Sequence, residues 1–126
     1  TQWQKIQIQF NGGKLMTVFG KGAVQAWCNV SGDSNPPSLR DDYNVASITD
    51  HDTGYHSAVF DYDMPNANYA ATIGAATGND LAFVGIDSDY MAVGSCRWIT
   101  RISRTSNATD FPLTLFTAIG DGHYGT

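Results

Sequence analysis

The carboxylates of this chain come in near pairs, Asp41/Asp42, Asp50/Asp52, Asp61/Asp63 and Asp87/Asp89, and there is no glutamate. Two carboxylates perform acid–base chemistry when burial separates their pKa values. These pairs fall in turn-like stretches, where an Asp side chain satisfies nearby backbone N–H groups, and turn use is the expectation. No D-x-[DN]-x-[DN]-G loop with a trailing Glu is present, which leaves a cation between Asp-rich loops as the minor alternative. His51, His56 and His123 form no HExxH, HxH or His–Cys spacing, so they read as surface histidines rather than metal ligands. His51 and His56 flank a turn and can approach each other across a hairpin. Cys28 and Cys96 belong to no CxxC pattern and sit in apolar-alternating segments. Buried free thiols are expected there, with a disulfide as the alternative. No G-x-S-x-G elbow and no Gly-rich phosphate cradle opening a helix occurs. No catalytic residue, cofactor or metal is therefore expected.

Binding is the chemistry that remains. Arg97, Arg101 and Arg104 cluster within eight positions, and at a period of two Arg97 and Arg101 share a face while Arg104 takes the other. Such a basic patch meets phosphate or acidic sugars, or else forms salt bridges to the excess Asp between subunits. Sugar recognition also uses flat aromatic faces beside directional polar groups. Tyr55, Tyr90 and Tyr124 stand beside turns with Asp or His neighbours, which adds His51, Asp52, Asp87, Asp89 and His123 to the candidate binding loops.

The elements that must carry these residues read as strands. Lys5–Phe10 alternates apolar and polar, Asn11-Gly12-Gly13 is a hairpin turn, and Lys14–Phe19 returns as its partner. Ala23–Val30 places Val24, Ala26, Cys28 and Val30 on one face, with Trp27 anomalously on the polar one. Ser31–Asp42 lacks apolar periodicity and contains Pro36-Pro37, so a surface loop is expected. Tyr43–Thr49 and Tyr55–Tyr62 flank an Asp-His-Asp-Thr-Gly turn, and a Met64–Asn68 corner leads to Tyr69–Ala76. Leu81–Ile86, Tyr90–Val93 and Ser95–Ser103 follow, with a corner at Asp87-Ser88-Asp89 and a break at Gly94. Phe111–Ile119 closes the fold. No segment holds helical periodicity over three turns. The sum is an all-β antiparallel sandwich or barrel of about nine or ten short strands.

A length of 126 residues suits one domain. The expected division is an N-terminal hairpin over 1–22, the main module over 23–119 and an irregular tail over 120–126. Charged residues make up 15% of the chain and the net charge is −5. Nucleic-acid binding needs clustered cations and is not expected. No apolar run is long enough for a membrane span, and no basic-then-apolar leader is visible. Because the chain starts on Thr, it is expected to be a fragment or a processed form. Apolar residues occur at both parities of several strands: Val59 opposes Ala58 and Phe60, Ile99 opposes Trp98, and Leu115 opposes Phe116. An outer face that is partly apolar calls for cover, and self-association is the simplest cover.

The segment Asn44–Phe60, of pattern N-V-x-S-I-T-D-x-x-T-G-x-x-x-x-x-F, followed by Met64–Tyr69 (M-P-N-A-N-Y), resembles the C-terminal head domain of many bacteriophage tail fibres, of the marine or cyanobacterial-phage kind. Ala26–Val30, Leu39-Arg40 and Leu113–Asp121 extend the likeness across most of the chain. The family usually has Trp-Val-Asn-Phe where this chain has Trp27-Cys28-Asn29-Val30, and Gly-Asp-Tyr where it has Tyr55-His56-Ser57. The resemblance implies a homotrimeric virion protein whose distal loops attach to a host-surface receptor, a glycan or outer-membrane component. A buried free state of the cysteines fits assembly in a reducing cytoplasm. A capsid decoration or head-fibre knob, and a carbohydrate-binding module, are the alternatives.

Overall fold

The computed structural model describes residues 7–11, 14–18, 23–78, 81–103 and 107–121, and among them every regular element is a strand. The first two, β1 (Gln7–Asn11) and β2 (Lys14–Val18), form the expected antiparallel hairpin. Eight more follow: β3 (Ala23–Ser31), β4 (Ser38–Tyr43), β5 (Val45–Asp52), β6 (Tyr55–Phe60), β7 (Ala70–Ala76), β8 (Phe83–Met91), β9 (Ser95–Arg101) and β10 (Leu113–Gly120). They make two antiparallel four-stranded sheets, ordered β4-β3-β10-β7 and β5-β6-β9-β8, and neither closes on itself.

The two sheets share one core, and alternation along the strands builds most of it. On β6 and β9 the inward positions are His56, Ala58, Phe60 and Cys96, Trp98, Thr100. On β3 and β10 they are Ala26, Cys28, Val30 and Thr114, Phe116, Ala118. Phe116 joins the layers: its ring stacks on Trp98 at 5.5 Å between centroids and on Phe60 at 6.3 Å, both from the opposite sheet. Tyr69 meets Phe60 edge-on at 6.0 Å. Each such buried aromatic contributes about 1.5–3 kcal/mol relative to exposure, with a further increment from ring geometry. Cys28 and Cys96 are buried and unbonded, one in each layer.

Four expectations need correction. The segment Ser31–Asp42 is not all loop, because Ser38–Tyr43 is an edge strand paired with β3. Leu39 is its one core-packing side chain, so the strand carries almost no apolar signal. Tyr43 ends β4, and Asn44, at φ 57°, turns the chain into the other sheet, so Tyr43–Thr49 is not one segment. Gln25 bulges between the Ala118–Ala26 and Ile119–Val24 pairs, which sends Val24 outward and Gln25 inward; a bulge shifts the parity of everything before it. Asp87-Ser88-Asp89 lies within β8, where the register to β9 slips between Ile86 and Met91.

Asn44 and the Met64–Tyr69 corner do architectural work. Asn44 Nδ2 donates to Gln25 O and Tyr62 O, both at 3.1 Å, while its Oδ1 accepts from Tyr62 N at 2.8 Å. Met64 and Tyr69 are core residues. Met64 N donates to Val93 O at 2.7 Å and the Tyr69 hydroxyl to Ala92 O at 2.8 Å, tying the corner to the β8–β9 turn. Asn66 Oδ1 accepts from Asn68 N at 2.9 Å, an Asx turn.

Candidate ligand-binding face

Alternation that sends Trp98 and His56 inward sends their neighbours outward, and on the β5-β6-β9-β8 sheet those neighbours are polar, cationic and aromatic. Register sets Ser57 opposite Arg97, and Tyr55 opposite Ile99. It also sets Gly85 opposite Ile99, and Phe83 opposite Arg101. His51 sits in a bulge of β5 between the Asp50–His56 and Asp52–Tyr55 pairs, which turns its ring over the sheet.

These side chains hold one another. The Arg97 guanidinium carbon lies 3.6 Å from the centroid of the Tyr90 ring, a cation–π contact. Arg97 Nη2 donates to His51 Nδ1 at 3.1 Å, and His51 Nε2 is 2.8 Å from Ser57 Oγ. A guanidinium has no acceptor, so Nδ1 must be unprotonated and Nε2–H donates to Ser57. Burial and the adjacent Arg97 and His56 hold the His51 pKa below its ordinary value, against the opposing pull of Asp50. The imidazole is thus kept neutral, as an acceptor that orients Arg97. Along β9, Arg101 Nη2 reaches 3.4 Å from the Tyr55 hydroxyl. Four steps of strand separate the two arginines by about 13 Å along the chain.

The candidates chosen from sequence are partly gathered here. His51, Tyr55, Tyr90, Arg97 and Arg101 share this face. Asp52 instead accepts from Thr53 N at 2.8 Å, the turn-type use expected of Asp, and Asp87, within β8, accepts from Asp89 N at 3.3 Å. Among the described residues, no carboxylate lies within ion-pair distance of Arg97 or Arg101. His123, Tyr124 and Arg104 lie outside the described residues. His56 is not at the surface: it is 2% exposed, tilted against Trp98, with Nε2 at 3.6 Å from Asp50 Oδ1 and 3.8 Å from Asp110 Oδ1. Among the described residues, no cluster of three or more His, Cys or Asp is arranged to hold a metal ion.

Ser57, Phe83 and Ile99 join this face although they are not among the candidates chosen from sequence. Ser57 and Ile99 share the outward parity of Tyr55 and Arg97, so the signal was present in the alternation. What the sequence lacks is the pairing of β6 with β9 that puts His51 beside Arg97, 46 positions away.

The opposite outer face, on the β4-β3-β10-β7 sheet, differs in kind. Trp27 lies between Tyr43 and Thr117, Ile119 between Val24 and Ala70, and Leu115 between Asn29 and Gly74. Val24, Trp27, Tyr43, Leu115 and Ile119 are all exposed there, between 37% and 52%. No protein-family model, no curated protein and no solved structure matches the chain.

Proposed function

We propose that the protein is a virion attachment module: the head of a phage fibre, assembled as a homotrimeric β-sandwich, that binds a host-surface receptor. The observation that carries this reading is the contrast between the two outer faces. One presents Val24, Trp27, Tyr43, Leu115 and Ile119 to solvent, and the other presents an ordered set of Arg, Tyr and His beside Phe83 and Ile99. An apolar sheet face of this kind asks for cover, and identical copies provide it. A fixed polar and aromatic face asks for an external ligand. The resemblance of Asn44–Phe60 and Met64–Tyr69 to fibre heads supports the same reading.

In it, the apolar sheet faces inward in the trimer and the β5-β6-β9-β8 sheet faces out. Weak contacts on three outward faces, multiplied over several fibres, supply avidity without one tight site. The test is adsorption: the fluorescently labelled domain is incubated with a panel of bacterial cells, and the panel is repeated with a variant confined to single chains. Saturable binding to some strains, weakened at least tenfold in the single-chain variant, is expected. Absence of binding to every strain, or localisation of the protein to capsids rather than tails in labelled virion images, overturns the attachment reading. Release of reducing ends from host polysaccharide would make it a depolymerase instead.

A further inference from the structure

The arginines of this chain are used in two ways. Arg40 is consumed by the fold: its guanidinium donates to Asn29 Oδ1 at 3.1 Å, Val30 O at 2.8 Å and Pro112 O at 2.6 Å. That arrangement ties β4 to β3 and to the start of β10. Arg97 and Arg101 are oriented but not neutralised. Arg97 is clamped by a π-face and a neutral imidazole nitrogen, and the Arg101 guanidinium donates to a phenol oxygen, that of Tyr55.

The chain has a net charge of −5 and twelve acidic residues, yet among the described residues no carboxylate pairs with either of these two arginines on one sheet face. A cation held in place by neutral groups keeps its charge available and loses little entropy when an anion arrives. Fork-like donors favour carboxylate and phosphate over neutral acceptors. Between the two cations the outward residues are Tyr55 and Ile99, with Phe83 opposite Arg101. Tyr55 and Phe83 offer flat, partly apolar rings of the kind that stack on the C–H faces of sugars.

We infer that the outer face of the β5-β6-β9-β8 sheet is a binding site for an acidic polysaccharide, whose anionic groups meet Arg97 and Arg101 and whose intervening sugar rings lie over Tyr55 and Phe83. The separation of about 13 Å between the two arginine positions exceeds one sugar ring, so an oligosaccharide bridges both where a monosaccharide engages one. The site is a positioned pair of cations on a rigid sheet, and His51 and Ser57 act as positioning residues for Arg97.

This inference names the ligand class for the face that the attachment reading turns outward, and it is testable without cells. The intact protein is titrated calorimetrically with oligogalacturonate, with galacturonic acid, with neutral maltooligosaccharide of equal length, and with inorganic phosphate. Oligogalacturonate is expected to bind, more weakly as salt rises, and at least about tenfold more tightly than the monomer or phosphate. Arg97→Ala and Arg101→Ala should each weaken it roughly tenfold, the loss expected when a charge-assisted pair is removed. Arg97→Lys should recover little, because a lysine lacks the fork. Thermal melting of each variant verifies that the sheet is intact. Equal affinity for neutral and acidic oligomers, or unchanged affinity in both arginine variants, overturns the inference. Oligogalacturonate binding in a protein that adheres to no cell would leave it standing while the attachment reading falls. Cell adsorption that survives Arg97→Ala/Arg101→Ala, with no oligogalacturonate binding, gives the reverse.

Discussion

Among the described glycines, replacing Gly54 with alanine should be the most damaging change. Gly54 ends the β5–β6 turn at φ +76°, a left-handed conformation that costs a residue with a Cβ about 1–2 kcal/mol. A Cβ there would lie 2.7 Å from Ala108 Cβ, Thr100 O and Thr109 N. The last two are backbone atoms that cannot step aside. Thr100 O already accepts from Thr109 N at 2.8 Å, and Thr100 Oγ1 donates to Thr109 O at 2.6 Å. Forcing such an overlap costs about 1–3 kcal/mol in well-packed proteins. Gly54 itself is bonded at both ends: its N–H donates to Asp110 Oδ1 at 2.6 Å and its carbonyl accepts from Thr100 N at 2.9 Å. The combined loss of about 2–5 kcal/mol is a large share of a domain stability of roughly 5–15 kcal/mol. In calorimetry at matched protein concentration, Tm should fall by roughly 10–20 °C. Gly78→Ala is the control, because Gly78 shares the positive φ of 61° but nothing lies within 4 Å of its would-be Cβ. It should lose only the conformational part, about 1–2 kcal/mol or several degrees. Equal Tm values for the two variants would refute the packing argument and leave backbone strain as the whole effect.

Other expectations follow from buried and titrating groups. Burial, with Asp42 adding to it, pushes the Cys28 thiol up to about 12, and burial pushes Cys96 up to about 11. Neither should be alkylated by iodoacetamide at pH 8 in the folded protein, and both should be once it is unfolded; rapid labelling of the native protein, read by mass spectrometry, would contradict the packing described. His51 has its pKa lowered from 6.5 by burial and Arg97, so the unfolded chain binds its proton first. Its contribution to stability is therefore complete above pH 6.5 and is lost as pH falls from there through the lowered folded value. An NMR titration of the His51 ring should show a midpoint below 6.5 that moves upward in Arg97→Ala, and an unmoved midpoint would break the proposed coupling.

Sequence alternation made the all-β class legible, because one buried face per strand writes a period of two into the chain. It also placed Arg97 and Arg101 on a shared face and Leu115 opposite Phe116. The features it concealed have definite physical causes. An edge strand such as β4 buries little, so SLRDDY carries no apolar rhythm. A bulge at Gln25 inverts the parity of Val24, and a slip within β8 lets Asp87 and Asp89 stay in a strand that their residue types read as a corner. His56 reads as a surface residue because it flanks a turn and fits no ligand motif; yet its position alternates with Ala58 and Phe60, and that parity buries it. The site itself is a product of pairing between distant strands, which no local pattern records.

The mass of the protein in solution tests the account most directly. Light scattering at micromolar concentration should give three copies of the 13.6 kDa chain, and Leu115→Asp/Ile119→Asp should reduce it to one while circular dichroism stays β-rich. A stable, well-behaved single chain in the unaltered protein would contradict it, since the apolar face of the β4-β3-β10-β7 sheet would then stand uncovered.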